Sequence, residues 1–391
     1  MKIELTSQQK EAQSDFARFA REEIEPYADE YDRAEHVPDK LIRQLARRKY
    51  LAGIVPSDWD GAGMDMITYG LLNEEIGHAC SSVRSLITVH DMVAATILKW
   101  GTYKQRMSWL PRLTCGDAIG AFAASEPAVG SDIASVETVA VRSGDHYVLS
   151  GKKKWITFGQ IADLFLVLAQ CEGKPTTFLV ERHTPGLWTK TISGMLGTRA
   201  SMLAELEFDE CPVPIENMLG RVGFGLLTAV STGLGLGRYS VAWGCVGIAQ
   251  ACVDACVEYT NERRQFGLLL REHQLIQQLL ADMITNVRAA RLLCYQAGYL
   301  KDSNDPDEIL NTFIAKYFAS RAAMKIAADA VQIHGANGCG PNHSVQRYFR
   351  DAKIMEIIEG TNQIQQITIA THGQECYLAE LSGRELIEAR A

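Results

Sequence analysis

The spacing of apolar residues divides the chain into a helical beginning, a β-rich middle and a helical end. In residues 9–32, apolar side chains recur at the three- and four-residue spacing of a helix. These positions are Ala12, Phe16, Phe19, Ile24 and Tyr27. A loop rich in Pro, Gly and Asp follows at residues 55–65. The pattern then predicts helices at residues 68–82 and 89–101, with the second ending near Gly101.

From about Phe122 the pattern changes to the period of a strand. Apolar and polar residues alternate on both sides of Ser143-Gly144-Asp145, which predicts a β-hairpin. Four further β-prone stretches are short and bounded by Gly, Pro or charged residues. They are residues 163–170, 176–181, 187–192 and 203–213. So many short strands in one region predict a compact β-barrel or sandwich.

After Gly223 the helical pattern returns in three long, Ala-rich amphipathic segments, residues 237–264, 272–300 and 309–335. Segments of this kind are typical of a four-helix bundle. The sequence therefore predicts an α+β protein with three domains. Their predicted bounds are residues 1–121 for an N-terminal helical domain, 122–222 for a central β-domain and 223–391 for a C-terminal helix bundle.

Composition narrows the function classes. The 391 residues carry a net charge of −8 without a basic block, which disfavours general binding to nucleic acids or membrane surfaces. The first residues lack the apolar core of a signal peptide, and no run of apolar residues reaches membrane-spanning length. Cys252 and Cys256 lie one helical turn apart without a histidine pair, so no metal site is predicted. We therefore expect a cytoplasmic protein whose ten cysteines are mostly buried and reduced.

Two glycine-rich stretches look like nucleotide-binding loops but have the wrong setting. "GLGLGR" at residues 233–238 follows a predicted helix, whereas a dinucleotide-binding loop must follow a strand. "GANGCG" at residues 335–340 also follows a helix and is interpreted as a C-terminal glycine cap. The chain has no P-loop, HExxH or GxSxG motif, which disfavours the common NTPase and hydrolase functions.

Five motifs, taken in order, resemble those of the acyl-CoA dehydrogenase family, and the resemblance covers about residues 1–375. They are "AASEPAVGSD" (123–132), "KKKWITFG" (152–159), "ERRQFGLLLREHQ" (262–274), "QIHGANG" (332–338) and "IIEGTNQIQ" (357–365). The resemblance implies a helical domain, a β-domain and a helix bundle, one FAD per subunit, and a homotetramer arranged as a dimer of dimers. It also implies oxidation of an acyl thioester, with an electron-transfer flavoprotein or O2 as the candidate electron acceptor.

The resemblance assigns roles to residues of the first two motifs. Trp155 and Thr157 match positions that contact the flavin ring, which needs a flat apolar surface and hydrogen bonds at its polar edge. Ser125 stands where the family usually has Thr. Ser131 and Arg238 match positions close to the acyl-thioester substrate. For Trp155 alone, ordinary core packing would be the better interpretation, because aromatic residues dominate protein cores.

Two further motifs match positions that contact FAD from a neighbouring subunit or along a glycine loop. Arg can hold a pyrophosphate by charge-assisted hydrogen bonds, although a charged helix end is more often simply solvated. Ala336 replaces a second glycine that is common in this loop. The matching residues are Arg263, Phe266, Gln274, Gln332, Gly335 and Gly338.

In the last motif, Glu359 matches the family's catalytic base, and Thr361 and Gln363 match positions that contact the cofactor. An isolated Glu is normally a solvated surface residue. Here the neighbours Ile357 and Ile358 predict desolvation and a raised pKa, as a base acting near neutral pH requires. Two nearby positions bear on this assignment: Glu356 is predicted to be an ion-pair partner, and Gly237 occupies an alternative base position used in some relatives.

Two departures concern the substrate. Gly235 stands where the family often has an Asp that contacts the pantetheine, and Ile358 stands where many relatives have Tyr. The segments at residues 237–252 and 350–360 are similar to a narrower subgroup that oxidises small acyl groups on acyl carrier proteins in polyketide and nonribosomal peptide pathways. Carrier-bound substrate, of the hydroxymalonyl or aminomalonyl extender type, is therefore the first hypothesis. An ordinary short-chain acyl-CoA dehydrogenase is the second, followed by a flavin-dependent oxygenating relative and an inactive scaffold.

Overall fold

The computed structural model describes the backbone of residues 4–388 and the side chains of residues 4–375, 377, 378 and 381. Six helices form its first part. They are α1 (Ser7–Phe19), α2 (Ala28–Ala34), α3 (Asp39–Arg47), α4 (Met66–Ala79), α5 (Ser81–Trp100) and α6 (Tyr103–Thr114). Thr6 and Thr102 begin α1 and α6 with capping boxes, in which a Thr oxygen accepts from a backbone N–H three residues later. Gly101 follows the last residue of α5, as predicted.

Two helix boundaries differ from those predicted. The helical segment 9–32 is broken between α1 and α2 by a π-helical turn, Ala20–Ile24, and a 3-10 turn, Glu25–Tyr27. Pro26 lies in the second turn and has no N–H to continue an α-helix. Ser81 and Ser82, predicted as the end of one helix, begin α5 instead, because the backbone of Cys80 is extended.

The middle of the chain forms one eight-stranded sheet in the order β6-β7-β3-β2-β4-β5-β8, with β1 parallel to β4. The strands are β1 (Gly120–Ala123), β2 (Val139–Ser143), β3 (His146–Ile156), β4 (Leu164–Cys171), β5 (Lys174–Glu181), β6 (Leu187–Thr191), β7 (Ala204–Pro214) and β8 (Met218–Leu219). The predicted hairpin is confirmed: β2 and β3 pair antiparallel, with Ser143 opposite His146. The long strand β3 pairs with β7 and contains "KKKW" near its end.

The last part is again helical. After a π-helical segment, Leu226–Gly233, come α7 (Leu234–Glu262), α8 (Gln274–Asp302), α9 (Glu308–His334), α10 (Val345–Met355) and α11 (Asn362–Glu388). A small hairpin of β9 (Arg264–Gln265) and β10 (Leu268–Leu269) joins α7 to α8. Helices α7, α8 and α9 pack on one another, and α10 and α11 pack on α9. The predicted fold class is thus confirmed: helical first and last parts enclose a central sheet.

The central helix of this last part lies in the core of the protein. Leu226–Glu262 is long enough to cross a membrane and contains an 18-residue window with a mean hydropathy of 1.5, but 78% of that window is buried inside the protein. The stretch "GLGLGR" lies within this helix, so it has no strand before it. Gly335, with a φ of 60°, ends α9 as the predicted glycine cap. Cys252 and Cys256 are both buried in α7.

Candidate active site

A cavity of about 440 Å³ lies where the sheet meets helices α5, α7 and α10. Its walls combine residues that are far apart in the sequence. Six of the predicted site residues line it: Ser125, Ser131, Trp155, Thr157, Glu359 and Thr361. The folded chain therefore brings three of the five motifs to one place.

Glu359 is presented to this cavity by the short connection between α10 and α11. The connection turns sharply, because Glu359 has a φ of 55° and Gly360 a φ of 86°. Such positive angles are unfavourable for a residue with a side chain and persist only where the surroundings hold the backbone. Here Lys316 Nζ donates to the Gly360 carbonyl at 2.9 Å, and Gln365 Nε2 donates to the Glu359 and Gly360 carbonyls at 3.2 and 2.9 Å. A strained turn held by two buried side chains fixes the position of the Glu359 carboxyl group.

The Glu359 carboxyl group is poorly solvated. Its Oε2 atom is fully buried and has no hydrogen-bond partner among the described residues. Burial raises the pKa of Glu359 to about 7, against the opposing charges of Arg238, Arg84 and Lys316. A carboxyl group with this pKa can exchange a proton near neutral pH, which is the requirement for a general base.

The surroundings of Glu359 come from helix α7 as well as from its sequence neighbours. Ile357 is 51% exposed in the single chain, so only Ile358 of the predicted apolar pair packs against the core. On the opposite wall, a Cβ added to Gly237 would lie 2.4 Å from Glu359 Oε2 and 2.9 Å from Met92 Sδ. The carboxyl group therefore occupies space that exists only because residue 237 is glycine, which makes a side chain at the alternative base position incompatible with this placement of Glu359.

The other wall of the cavity offers a flat aromatic ring and hydroxyl groups. Trp155 is 47% exposed and has a φ of 64° at the end of β3. Ser125 Oγ donates to the Lys154 carbonyl at 2.7 Å, and the Lys154 N–H donates to the Ser125 carbonyl at 2.9 Å. These two bonds fasten the segment of Ser125 to the strand of Trp155 and Thr157. An exposed aromatic face with hydroxyl groups beside it fits the flavin ring of FAD.

A buried ion pair strengthens the same junction. Lys153 Nζ donates to Glu126 Oε1 at 2.6 Å and to the Ala124 carbonyl at 3.0 Å, and both side chains are almost fully buried. Burial lowers the pKa of Lys153 to about 8, and the desolvation of Glu126 is overcome by Lys153 and Thr138, so that its pKa is lowered. Removing one partner of such a pair would leave an uncompensated buried charge.

A second cavity, of about 390 Å³, adjoins the first and shares Gly130, Ser131, Ile133, Leu234 and Gly360 with it. Arg238 lines this second cavity, as does Gly235. Arg238 Nε donates to the Glu359 carbonyl at 3.1 Å, and the Arg238 guanidinium group lies 4.6 Å from the ring centre of Phe313. Ser131 and Arg238, the two predicted substrate residues, thus both lie along a passage leading from Glu359.

The remaining predicted cofactor residues do not line either cavity, and all of them except Gly338 are exposed on the single chain. Phe266, in the hairpin between α7 and α8, is 96% exposed. The others that the structure exposes are Arg263, Gln274, Gln332, Gly335 and Gln363. Gly338 is buried, and a Cβ there would lie 2.8 Å from the Val331 carbonyl. Glu356 pairs with Lys353 at 2.7 Å, as predicted.

Two charged residues near Glu359 were not predicted from the sequence. Lys316 is fully buried, and Arg84 is fully buried and lines the larger cavity. Each is a single cation within an otherwise uncharged helical stretch, "FIAKYFA" for Lys316 and "SSVRSLITV" for Arg84. A lone buried cation of this kind is unusual unless it has a partner, and that pattern could have drawn attention to both.

Family models match the chain over nearly its whole length. The N-terminal, middle and C-terminal domains of acyl-CoA dehydrogenase match residues 6–117, 121–211 and 223–373. The mouse (Mus musculus) mitochondrial short-chain specific acyl-CoA dehydrogenase is 39% identical over 360 residues, which cover 90% of this chain and 87% of the mouse protein.

Solved structures show the same relationship. Butyryl-CoA dehydrogenase from Megasphaera elsdenii has a TM-score of 0.91 at 33% identity, covering 95% of this chain and 99% of that one. FkbI, which serves the biosynthesis of a methoxymalonyl extender unit of the polyketide Fk520, has a TM-score of 0.85 at 32% identity over 93% of this chain and 99% of its own. This chain therefore belongs to the acyl-CoA dehydrogenase family, FAD-dependent oxidoreductases that act on the CH–CH bond of acyl thioesters.

Proposed function

We propose that this protein removes two hydrogens from the α- and β-carbons of a short acyl thioester, with Glu359 as the base. The observation that carries the proposal is the buried Glu359 Oε2, which has no hydrogen-bond partner among the described residues and faces the cavity that Trp155 and Thr157 also line. A carboxylate without a partner is free to accept a proton from a substrate carbon.

In this proposal the chain divides the work among named residues. Glu359 takes the α-proton, and the strained turn held by Lys316 and Gln365 keeps its carboxyl group in place. Bound FAD supplies the acceptor for the hydride that leaves the β-carbon. The apolar wall excludes water, so the proton stays on Glu359 Oε2 until the unsaturated thioester departs.

The proposed contacts with FAD come from two surfaces. Within one chain, Ser125, Trp155, Thr157 and Thr361 line the cavity and would hold the flavin ring. The exposed residues would reach the FAD of a neighbouring subunit, within a tetramer built as a dimer of dimers. This second set comprises Arg263, Phe266, Gln274, Gln332, Gly335 and Gln363.

Coenzyme A is the proposed tether of the acyl group. The short-chain specific mouse enzyme and the butyryl-CoA dehydrogenase, both similar over almost the whole chain, support this choice. An acyl carrier protein is the second candidate, which the similarity to FkbI supports. Gly235 agrees with either tether. A Cβ there would meet no atom of the described residues within 4 Å, so the second cavity is open where the family often has an Asp.

Anaerobic reduction of the FAD-loaded protein tests the proposal. We expect butyryl-CoA to bleach the flavin absorbance, and butyryl-pantetheine on a carrier protein to do so more slowly. Faster bleaching by the carrier-bound acyl group would make the second candidate the correct one. Bleaching by neither thioester, at any acyl length, would contradict both. Reoxidation by an electron-transfer flavoprotein or by O2 then identifies the electron acceptor.

A further inference from the structure

Arg84 is a buried cation without a buried anion beside it. The side chain is fully buried in α5 and lines the larger cavity. Among the described residues, no carboxylate lies within 4.0 Å of its guanidinium nitrogens, and its Nε has no hydrogen-bond partner. Glu359 and Asp351 influence its charge only from a greater distance. A buried charge in this condition is unfavourable until an anion reaches it.

The groups that do contact Arg84 are neutral. One nitrogen of its guanidinium group donates to Thr88 Oγ1 at 2.7 Å and the other to Ser85 Oγ at 3.1 Å. Each hydroxyl group donates its own proton to a backbone carbonyl of α5, Thr88 to Arg84 and Ser85 to Ser81. These hydroxyl groups therefore orient the guanidinium group and supply no negative charge to balance it.

Arg347, which is buried, and Arg291, which is partly buried, show what a structural role of an arginine looks like. Arg347 Nε donates to Asp29 at 2.7 Å, and Arg291 donates through two nitrogens to Glu74 at 3.0 and 2.6 Å. Both have a carboxylate of the chain as counter-ion, which is the usual condition for a buried arginine. Arg84 differs from them in lining a cavity and in lacking that counter-ion.

Two glycines on neighbouring helices leave space for the Arg84 side chain. A Cβ added to Gly244 of α7 would lie 2.3 Å from Arg84 Cδ and 2.7 Å from its Nε. On α4, a Cβ at Gly77 would lie 3.5 Å from the same Cδ. Glycine at residue 244 thus lets the arginine stem pass between helices and directs its charged end to the cavity that contains Glu359.

We propose that Arg84, oriented by Ser85 and Thr88, binds a carboxylate at the far end of the acyl group, so that the substrate is the monothioester of a short dicarboxylic acid. This inference rests on the proposed function of the same cavity. A guanidinium group presents paired N–H donors that match a carboxylate, and the missing counter-ion would arrive with the substrate. The smallest acyl group of this class with a β-carbon to oxidise is succinyl.

Matched thioesters and Arg84→Met test the proposal. The FAD-loaded wild type should reduce with higher kcat/KM on succinyl-, glutaryl- or adipyl-CoA than on butyryl-CoA. Arg84→Met keeps an apolar side chain of similar length, and it should lower the ratio of the best dicarboxylic substrate to butyryl-CoA by about tenfold to a hundredfold. Arg84→Lys keeps the charge without the paired donors, so its ratio should lie between the two. Arg142→Met removes a charge from an exposed position of β2 and should keep the wild-type ratio.

Binding of a non-reducible thioether analogue of glutaryl-CoA, measured by calorimetry, gives a readout that does not depend on turnover. Its Kd should rise in Arg84→Met and stay level in Arg142→Met. A wild type that prefers butyryl-CoA, with a Kd for the analogue that is equal in both variants, would overturn the inference and leave the proposed function standing. If no thioester reduces the flavin, the proposed function fails, and the calorimetric comparison still decides whether Arg84 binds the carboxylate.

Discussion

The Glu359 region and the hairpin between α7 and α8 are two parts of one predicted site, yet their surroundings are opposite. Around Glu359, charged groups are buried and held by backbone carbonyls, as Lys316 is by Gly360. In the hairpin, Phe266 is 96% exposed and Arg263 is also exposed. Within the single chain, these predicted cofactor residues are therefore accessible to a second molecule. Residues of one chain are therefore enough to line the cavity around Glu359, whereas the hairpin residues would meet FAD only in the subunit assembly that we propose.

The largest expected effect is that of Glu359→Gln. Gln keeps the shape of the side chain but cannot accept the α-proton, so flavin reduction should slow by about 10⁴-fold, the upper end for loss of a general base. The FAD content should not change, because Glu359 lies apart from the hairpin residues that we propose bind FAD. Stopped-flow bleaching measures the rate. Glu356→Gln is the matched control, because Glu356 pairs with Lys353 outside the cavity lining; a similar loss in that variant would place the base elsewhere.

Gly237→Ala should produce the next largest effect. The new Cβ would lie 2.4 Å from Glu359 Oε2, so the carboxyl group must move. A displaced base should slow reduction by about a hundredfold, as small misplacements of catalytic groups do. Gly235 lies on the same helix, and a Cβ added there would meet no atom of the described residues within 4 Å. Gly235→Ala should therefore slow flavin reduction much less than Gly237→Ala. Equal rates in the two variants would show that the position of Glu359 is not set by the space at residue 237.

On the hairpin side, Arg263→Ala should weaken FAD binding by roughly tenfold or more, the value of one charge-assisted hydrogen bond. The fold of the subunit should be unaffected because the side chain is exposed. Flavin release on dilution, with sizing of the protein, provides the measurement. Arg264→Ala removes the same charge one residue away and controls for a general electrostatic effect. Unchanged FAD affinity in Arg263→Ala would remove the hairpin from the cofactor site.

Flavin reduction and FAD binding should depend differently on pH. The pKa of Glu359 is raised to about 7. Above this pH the side chain is mostly a carboxylate and can accept a proton, and this form is lost as the pH falls through 7. Reduction should therefore decrease as pH falls, by about tenfold for each unit below 7, while FAD binding through the exposed hairpin stays level. The bleaching rate should be measured from about pH 5 to about pH 8, a range that includes the pKa of Glu359. A rate that does not change over this range would argue against Glu359 as the titrating base.

The raised pKa of Glu359 should also have a small effect on the stability of the folded protein. The folded protein holds a proton on Glu359 at pH values where the unfolded chain has already released it, so the free energy of unfolding falls as pH rises toward and through 7. Glu359→Gln does not ionise and should reduce this fall. Thermal melts of the two proteins at pH 5 and pH 8 (roughly below and above the titration) measure the difference. A fall that is as steep in the variant would assign it to other groups.

Much of the architecture was predictable because it depends on local pattern. The strand alternation around Ser143 and Gly144 gave the correct hairpin, and the helical spacing gave the correct order of helices and sheet. The break at Pro26 and the start of α5 at Ser81 were missed. Those boundaries depend on backbone angles at a few residues, which apolar periodicity does not report.

The amino-acid pattern alone was enough to predict the three-part fold, the family and six of the residues that line the cavity, Trp155 and Glu359 among them. The folded structure was needed to show what surrounds the Glu359 carboxyl group, which lies against Gly237 of α7, whereas Ile357 beside it in the sequence is 51% exposed. The folded structure was also needed to place Arg84 at the cavity, with no carboxylate partner among the described residues. The physical reason is that solvation and charge balance depend on what surrounds an atom in space, and residues separated by more than a hundred positions supply those surroundings here.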